Sequence, residues 1–180
     1  MIQLGNVIEN QRTRQRMIFL KTGIETKGEQ LQIECFSPVT SAKDSEHIHP
    51  FQENRFQIIS GELIFYINRK EQRAIKGNIV SIPKNVPHYF RNPGPNEAHY
   101  IQEFCPALKI DSLFETFFAL AREGKLNEKG APNIFRLSLI MLKHEKEFRL
   151  TKPNWIIQKI IFKLIAPFGK FLGYKEAYNY

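Results

Sequence analysis

The sequence predicts a mainly β domain, a sandwich or barrel, followed by a C-terminal α-helical extension of about three helices. Between residues 3 and 101, short segments alternate polar and apolar residues, as half-buried strands do. Glycine, proline and asparagine recur between these segments and are typical of turns. After Pro106 the apolar spacing becomes that of amphipathic helices. We therefore predict a barrel over residues 1–106 and a helical extension over residues 107–180, packed on the barrel or on a partner subunit.

The predicted strands are short, and most are separated by recognisable turns. Residues 30–36 show the clearest period of two. Gly61, residues 68–70 and Gly77 are the predicted turns of the central region. Besides a strand that begins at His47, we predict strands over residues 16–20, 30–36, 55–60, 62–67, 71–75, 79–82, 88–91 and 97–104.

The first helix of the extension has a start and a stop signal. Ser112 and Glu115 match a capping box, in which each side chain bonds a backbone N–H of the first turn. An amphipathic run follows to Glu123, and Gly124 is a natural helix end. A second helix is predicted from about residue 133 to residue 149, and a third begins at residues 151–153.

Charge and composition restrict the classes of protein to consider. The formal net charge of +8 is uneven, because residues 105–180 carry 13 basic and 7 acidic side chains. No segment is apolar over the length of a bilayer, and the N-terminus lacks the pattern of a signal peptide. We therefore expect a cytoplasmic protein. No basic and aromatic strand platform is evident, so nucleic acid is not an expected partner.

The third predicted helix has a lysine stripe. Lys152, Lys159, Lys163 and Lys170 fall in one sector, opposite an apolar face made by Ile157, Ile160, Ile161, Leu164, Phe168 and Phe171. This pattern is typical of a helix on an anionic membrane surface, and also of one that packs on a barrel or partner subunit. The second interpretation is favoured, since a small barrel with a helical extension needs an apolar face to bury. We accordingly expect a homodimer rather than peripheral membrane contact.

Proline residues mark both ends of this third helix. Pro153 is expected in the first turn, where its missing N–H costs little. Pro167 is expected to kink or end the helix, because it removes a backbone hydrogen bond.

Three histidines form the most informative pattern in the chain. His47 and His49 are two residues apart, so in a strand their side chains leave the same face. His88 lies in a second predicted strand. Imidazoles from two strands that converge on one point would suit a divalent transition metal.

The surroundings of these histidines resemble the two cupin motifs. In the first, a glycine, here Gly61, closes a strand opened by His47, His49 and an acidic ligand. The second is matched by Gly77, Pro83, His88 and Asn92. The resemblance covers roughly residues 5–106 and implies a double-stranded β-helix, a jelly-roll barrel. It also implies iron, manganese, nickel or zinc inside the barrel, held by the three histidines and a carboxylate.

The sequence departs from these motifs at two positions. Asn54 stands where the family has its glutamate, and Glu53, one residue earlier, should point the other way. Asn54 would be a weak fourth ligand or a hydrogen-bonding neighbour of the ligands. The metal would keep its full charge, act as a stronger Lewis acid, prefer anionic chelating ligands and bind less tightly. Asn85 replaces a usual glycine, and asparagine tolerates left-handed backbone geometry.

Four further residues are candidates for the wall of a pocket: Glu103, Phe56, Tyr89 and Phe90. Glu103 would supply the missing carboxylate or a general base if its face of the last strand points inward. The competing inward set on that strand is Tyr100, Gln102 and Phe104.

Two functional hypotheses follow. The first is a metal-dependent cupin that oxygenates, isomerises or cleaves a small organic molecule. The second is a non-catalytic binding or sensor module, whose barrel holds a small ligand and whose helices dock on a partner or a membrane. Metal content discriminates between them.

Overall fold

The computed structural model describes residues 2–40 and 45–180, and its centre is a barrel of two antiparallel sheets. The six-stranded sheet has the order β1 (Val7–Glu9), β2 (Arg16–Lys21), β3 (Leu31–Ser37), β10 (Ala98–Cys105), β5 (Glu53–Ser60) and β8 (Ile79–Ile82). The five-stranded sheet has the order β11 (Arg149–Leu150), β4 (His47–Ile48), β9 (His88–Arg91), β6 (Glu62–Ile67) and β7 (Lys70–Ile75). The predicted double-stranded β-helix is thus confirmed.

Strict alternation builds the barrel core. Along β3 and β10 every second side chain is buried, and β5 repeats this pattern over most of its length. Apolar side chains from both sheets fill the space between them, including Phe19, Phe56, Phe65 and Tyr100. Successive strand side chains point to opposite faces, so the period seen in the sequence decides which residues face the interior.

Gly61, between β5 and β6, is held in a conformation that other residues adopt poorly. Its φ is +73°, and a Cβ there would lie 2.7 Å from the Glu97 carbonyl oxygen and 2.8 Å from Ala98 Cα. Both neighbours are backbone atoms, so neither can move aside without distorting the strand. The glycine that closes the histidine-bearing segment is therefore required by close backbone contact.

We expect Gly61→Ala to lower the free energy of unfolding by about 3 kcal/mol, from left-handed strain and steric overlap together. Gly77→Ala is the matched control, because Gly77 has φ +86° and a Cβ there would meet nothing within 4 Å. In the control, the free energy of unfolding should fall by only about 1 kcal/mol. Urea unfolding of both variants measures the difference, and equal losses would contradict the steric argument.

Helix α1 (Ile110–Arg122) follows the last barrel strand and begins earlier than predicted. Its N-cap is Lys109, whose backbone N–H donates to the Glu147 carboxylate at 3.1 Å, so the predicted capping box at Ser112 is wrong. The earlier start places Ile110 in the core, and a distant carboxylate stabilises the helix N-terminus instead. The predicted stop at Gly124 is confirmed by its φ of +65°.

Helix α2 (Ile134–Lys143) is shorter than predicted. Asn133 caps its start by accepting from the Arg136 N–H, but the helix ends at His144 rather than at residue 149. The chain then turns and forms β11, which pairs with β4 through Arg149 and Ile48. Pairing with a barrel strand outweighs the local helical pattern in this segment.

Helix α3 (Trp155–Phe171) begins after Pro153, with Asn154 as its N-cap, and continues through Pro167. Its buried residues are Gln158, Phe162, Ala166 and Gly169. A Cβ at Gly169 would lie 3.0 Å from the Phe135 carbonyl oxygen of α2, so the small residues allow a close helix pair. Pro153 thus precedes the first turn, and the prediction that Pro167 could end the helix is wrong.

The predicted apolar face of α3 does not pack on the barrel. Eight large side chains of α3 and its C-cap are exposed: Ile156, Ile157, Ile160, Ile161, Leu164, Phe168, Phe171 and Leu172. Of the two expected alternatives, packing of this face on the barrel does not occur, because α3 turns its buried side toward α2; packing on a partner subunit stays a prediction. Within residues 2–40 and 45–180, no helix is long and apolar enough to cross a membrane.

Candidate metal centre

The structure brings the three predicted histidines together at one end of the barrel. His47 on β4 pairs directly with His88 on β9, and His49 follows one residue after β4. One potential ligand atom from each lies within 4.8 Å of the other two. Ring centroids are 4.5 Å apart for His47 and His88, and 5.2 Å apart for His49 and His88. The imidazoles of His47 and His49, two residues apart, therefore converge with that of His88 as expected.

Backbone carbonyls orient all three rings. Nδ1 of His47 lies 2.9 Å from the Ser45 carbonyl oxygen, and Nδ1 of His88 lies 2.8 Å from that of Val86. His49 Nδ1 lies 2.7 Å from the Glu147 carbonyl oxygen. A carbonyl only accepts, so each Nδ1 carries the proton and each Nε2 keeps a free lone pair. Such contacts orient metal-binding imidazoles in proteins.

The electrostatic environment keeps the histidines neutral. Burial, followed by the neighbouring His49 and His88, holds the pKa of His47 well below its usual 6.5. Burial and then His88 lower the pKa of His49 to about 3, and burial lowers that of His88. The buried Nε2 of His88 has no hydrogen-bond partner among the described residues. Neutral rings with free lone pairs fit a divalent metal, which needs deprotonated ligands.

Asn54 faces the same interior space, as the strand period predicts. It is buried on β5, and Glu53 before it is exposed. Its side-chain oxygen accepts from Gln102 Nε2 on β10 at 3.1 Å. At the position where the resemblance implies an acidic ligand, this chain therefore has the neutral amide of Asn54, which a hydrogen bond from Gln102 orients. Asn85 has φ +65°, confirming that it adopts the left-handed turn, and its N–H donates to the His49 carbonyl.

A cavity of about 280 Å³ opens beside the histidines. His47, His49, Asn54 and Gln102 line its inner end, and they come from both sheets of the barrel. Most of its wall is apolar and consists of phenylalanines from the barrel, from α1 and from the segment before β11: Phe90, Phe104, Phe114, Phe117, Phe118 and Phe148. The cavity therefore has polar side chains at its inner end and aromatic side chains along most of its wall.

The predicted pocket residues separate into two groups. Phe90 lines the cavity, whereas Phe56 is fully buried in the barrel core and Tyr89 stacks on Tyr66, with ring centroids 4.5 Å apart. Glu103 points to the outer face of β10, where Arg55 Nη1 lies 3.1 Å from its carboxylate. The expectation that Glu103 supplies the missing carboxylate is wrong, since Gln102 takes the inward position by alternation.

Two residues of the C-terminal extension contact the histidines directly, and the sequence did not reveal either. Phe148 stacks on His47 with centroids 4.7 Å apart, and Glu147 provides the carbonyl that orients His49. Both lie in the segment predicted as the end of the second helix. Their position in the sequence gives one weak signal. Glu147 and Phe148 directly precede Arg149 and Leu150, and these two residues pair with β4 beside the histidines.

His144, at the end of α2, is fully buried. Burial, followed by Lys143 and Lys109, lowers its pKa to about 4. Its Nδ1 lies 4.0 Å from the Glu147 carboxylate, outside hydrogen-bond distance. It is the C-cap of α2, and its carbonyl accepts from the N–H groups of Glu147 and Phe148 in the turn that follows.

Comparison with known proteins agrees with this geometry. The fold and the site define a jelly-roll barrel in which three histidines converge from two paired strands and from the residue after one of them. Residues 33–102 match the family model of the Cupin domain, and this range contains His47, His49, Asn54 and His88. The barrel region of the chain, over residues 33–102, therefore matches a Cupin domain. A search of curated proteins gave no significant match.

Solved structures share the fold at low sequence identity. One described as a predicted oxalate decarboxylase from Thermotoga maritima has 18% identity and a TM-score of 0.50, covering 56% of this chain and 90% of its own. An RmlC-like cupin from Shewanella frigidimarina has 17% identity and a TM-score of 0.49, covering 58% of this chain and 86% of its own. The first of these likenesses, at 18% identity, shows a shared fold alone and does not transfer a substrate.

Proposed function

We propose that this chain is a metal-dependent cupin enzyme that transforms a small organic molecule in the aromatic cavity. The observation that carries this proposal is the set of three neutral imidazoles, each with Nδ1 bonded to a carbonyl and Nε2 left free. His47, His49 and His88 would hold iron, manganese, nickel or zinc, with Asn54 as a weak fourth ligand or a neighbour. When bound, such a metal would supply Lewis acidity for isomerisation or cleavage, and iron, manganese or nickel would also supply the redox chemistry that oxygenation by O2 requires.

The chain's own residues supply binding and orientation. Asn54 and Gln102 present amides at the inner end of the cavity, where they can hold a polar group of the substrate. Phe104 and Phe148 pack beside His49 and His47 and exclude water from the rings. A drier site strengthens the electrostatic interactions that act on the bound molecule.

We infer that the substrate has an apolar body and an anionic group. Arg12 and Lys129 lie where the cavity meets solvent, and none of its described lining residues is acidic. The volume is roughly twice the ~150 Å³ that holds a benzene molecule. An aromatic carboxylate or one of similar size therefore fits both the apolar wall and the positive charge.

A series of arylalkanoic acids, each compared with its neutral amide, tests this substrate class by calorimetric titration. We expect acids to bind better than amides, and Arg12→Gln with Lys129→Gln to reduce this preference about ten-fold, since exposed ion pairs contribute up to ~1 kcal/mol each. Arg14→Gln is the control, because Arg14 pairs with Glu9 and does not line the cavity. An unchanged preference in the double variant would contradict the inference.

Metal analysis of protein purified without an affinity tag tests the proposed function itself. One equivalent of transition metal, present on isolation or after reconstitution, is the expected result. Persistent absence of metal would overturn it. Carboxylate binding without metal would then support the alternative, a non-catalytic binding or sensor module.

A further inference from the structure

The outward face of α3 and its C-cap carries eight of the sixteen exposed large apolar side chains among the described residues. Leu164, Phe168 and Phe171 are 67%, 64% and 89% exposed. At about 100° per residue, the exposed apolar positions from Ile156 to Leu172 occupy roughly 160° of the helix circumference. Contiguous apolar surface of this kind marks sites of association. A face that was expected to be buried is instead presented to solvent.

Positive charge borders this face on one side. Lys163 and Lys170 project beside the apolar sector, and both are exposed. Among the described residues neither has a carboxylate partner, whereas Lys159 is bound to Glu145 at 2.6 Å. From residue 151 to the C-terminus the chain has five lysines and a single acidic residue, Glu176. The surroundings of the face are thus suited to a negatively charged partner.

We propose that α3 docks this protein in the plane of an anionic phospholipid surface. A helix with a wide apolar face and lysines at its border inserts the apolar side below the headgroups and places its ammonium groups among the phosphates. The other side of α3 is occupied by α2, which holds the helix so that the apolar sector points away from the protein. The helix is too short and too charged to span the bilayer, so it lies in the interface.

The barrel does not obstruct this arrangement. The small residues Ala166 and Gly169 face α2, and the apolar sector lies on the opposite side of the helix. Trp155, at the start of α3, lies under the Arg149 guanidinium at 4.9 Å, and β11 connects this end to the barrel. Docking would therefore leave the fold and the metal centre unchanged.

Vesicle flotation of the full chain tests the proposal. We expect binding to vesicles of equal parts phosphatidylcholine and phosphatidylglycerol, and much weaker binding to phosphatidylcholine alone or at high salt. Lys163→Gln with Lys170→Gln should weaken partition about thirty-fold, given the ~1 kcal/mol that each lysine near an anionic surface contributes. Leu164→Gln, Phe168→Gln and Phe171→Gln together should abolish it.

The control is Ile24→Gln, which removes a side chain that is 68% exposed but far from α3 in sequence, between β2 and β3. It should float like the unmodified chain. Light scattering in the absence of lipid supplies the second measurement. No flotation with either vesicle overturns the proposal. A dimer that the triple variant dissociates, together with no flotation, shows instead that a second copy covers this face.

Discussion

Replacing His47 and His88 together by alanine should lower the affinity for a divalent transition metal by about four orders of magnitude. A four-ligand site has a binding free energy of about 10–16 kcal/mol, so each imidazole accounts for roughly a hundred-fold or more. The two rings come from paired positions on β4 and β9 and cannot substitute for each other. His49 would remain as the last imidazole, too few to hold a metal against a chelator.

The measurement is metal content and competitive chelator titration of the purified variant, with circular dichroism to verify folding. His99→Gln is the matched control. It removes a histidine of the same barrel that lies on the outer face of β10, where its Nε2 is 2.7 Å from the Glu34 carboxylate. The control should bind metal like the unmodified chain. Equal metal content in the double alanine variant would show that these histidines are not the ligands.

The barrel was predictable because its signals are local. Alternation along residues 30–36 and 97–104 determined which side chains face inward, and the turns at Gly61 and Gly77 separated the strands. The proximity of His47 and His88 was also predictable, because the spacing of the two histidine-bearing segments matched the two motifs. An apolar period of two is compatible with few structures other than a strand, and a glycine between two such segments is typical of a turn.

The extension was less predictable because tertiary contacts decide its form. Residues 144–150 look helical locally, yet pairing with β4 and stacking of Phe148 on His47 draw them into the barrel. The start of α1 likewise depends on the Glu147 carboxylate, 38 residues away in sequence. No local pattern records such contacts, so the residues that contact the histidines from outside the barrel were missed.

Asn54 lines the cavity beside the three candidate metal ligands, and replacing its amide by a carboxylate should have opposite effects on metal affinity and on stability. Asn54→Asp adds a negative charge beside the histidines while keeping the shape of the side chain. Gln102 Nε2 already donates to Asn54 Oδ1 and would orient the introduced carboxylate. Metal affinity should rise by about ten- to a hundred-fold, because the attraction between the carboxylate and the ion exceeds the remaining cost of its burial.

Without metal the same variant should be less stable than the unmodified chain, by about 2 kcal/mol, because a buried carboxylate then lacks a cation. Chelator titration and thermal unfolding with and without metal measure both effects. Gln57→Glu is the control, since it adds the same charge to an exposed position of β5. If both variants bind metal equally, position 54 does not face the ion. If Asn54→Asp alone gains affinity, the natural asparagine keeps the bound metal more positively charged and favours an anionic substrate over tight metal retention.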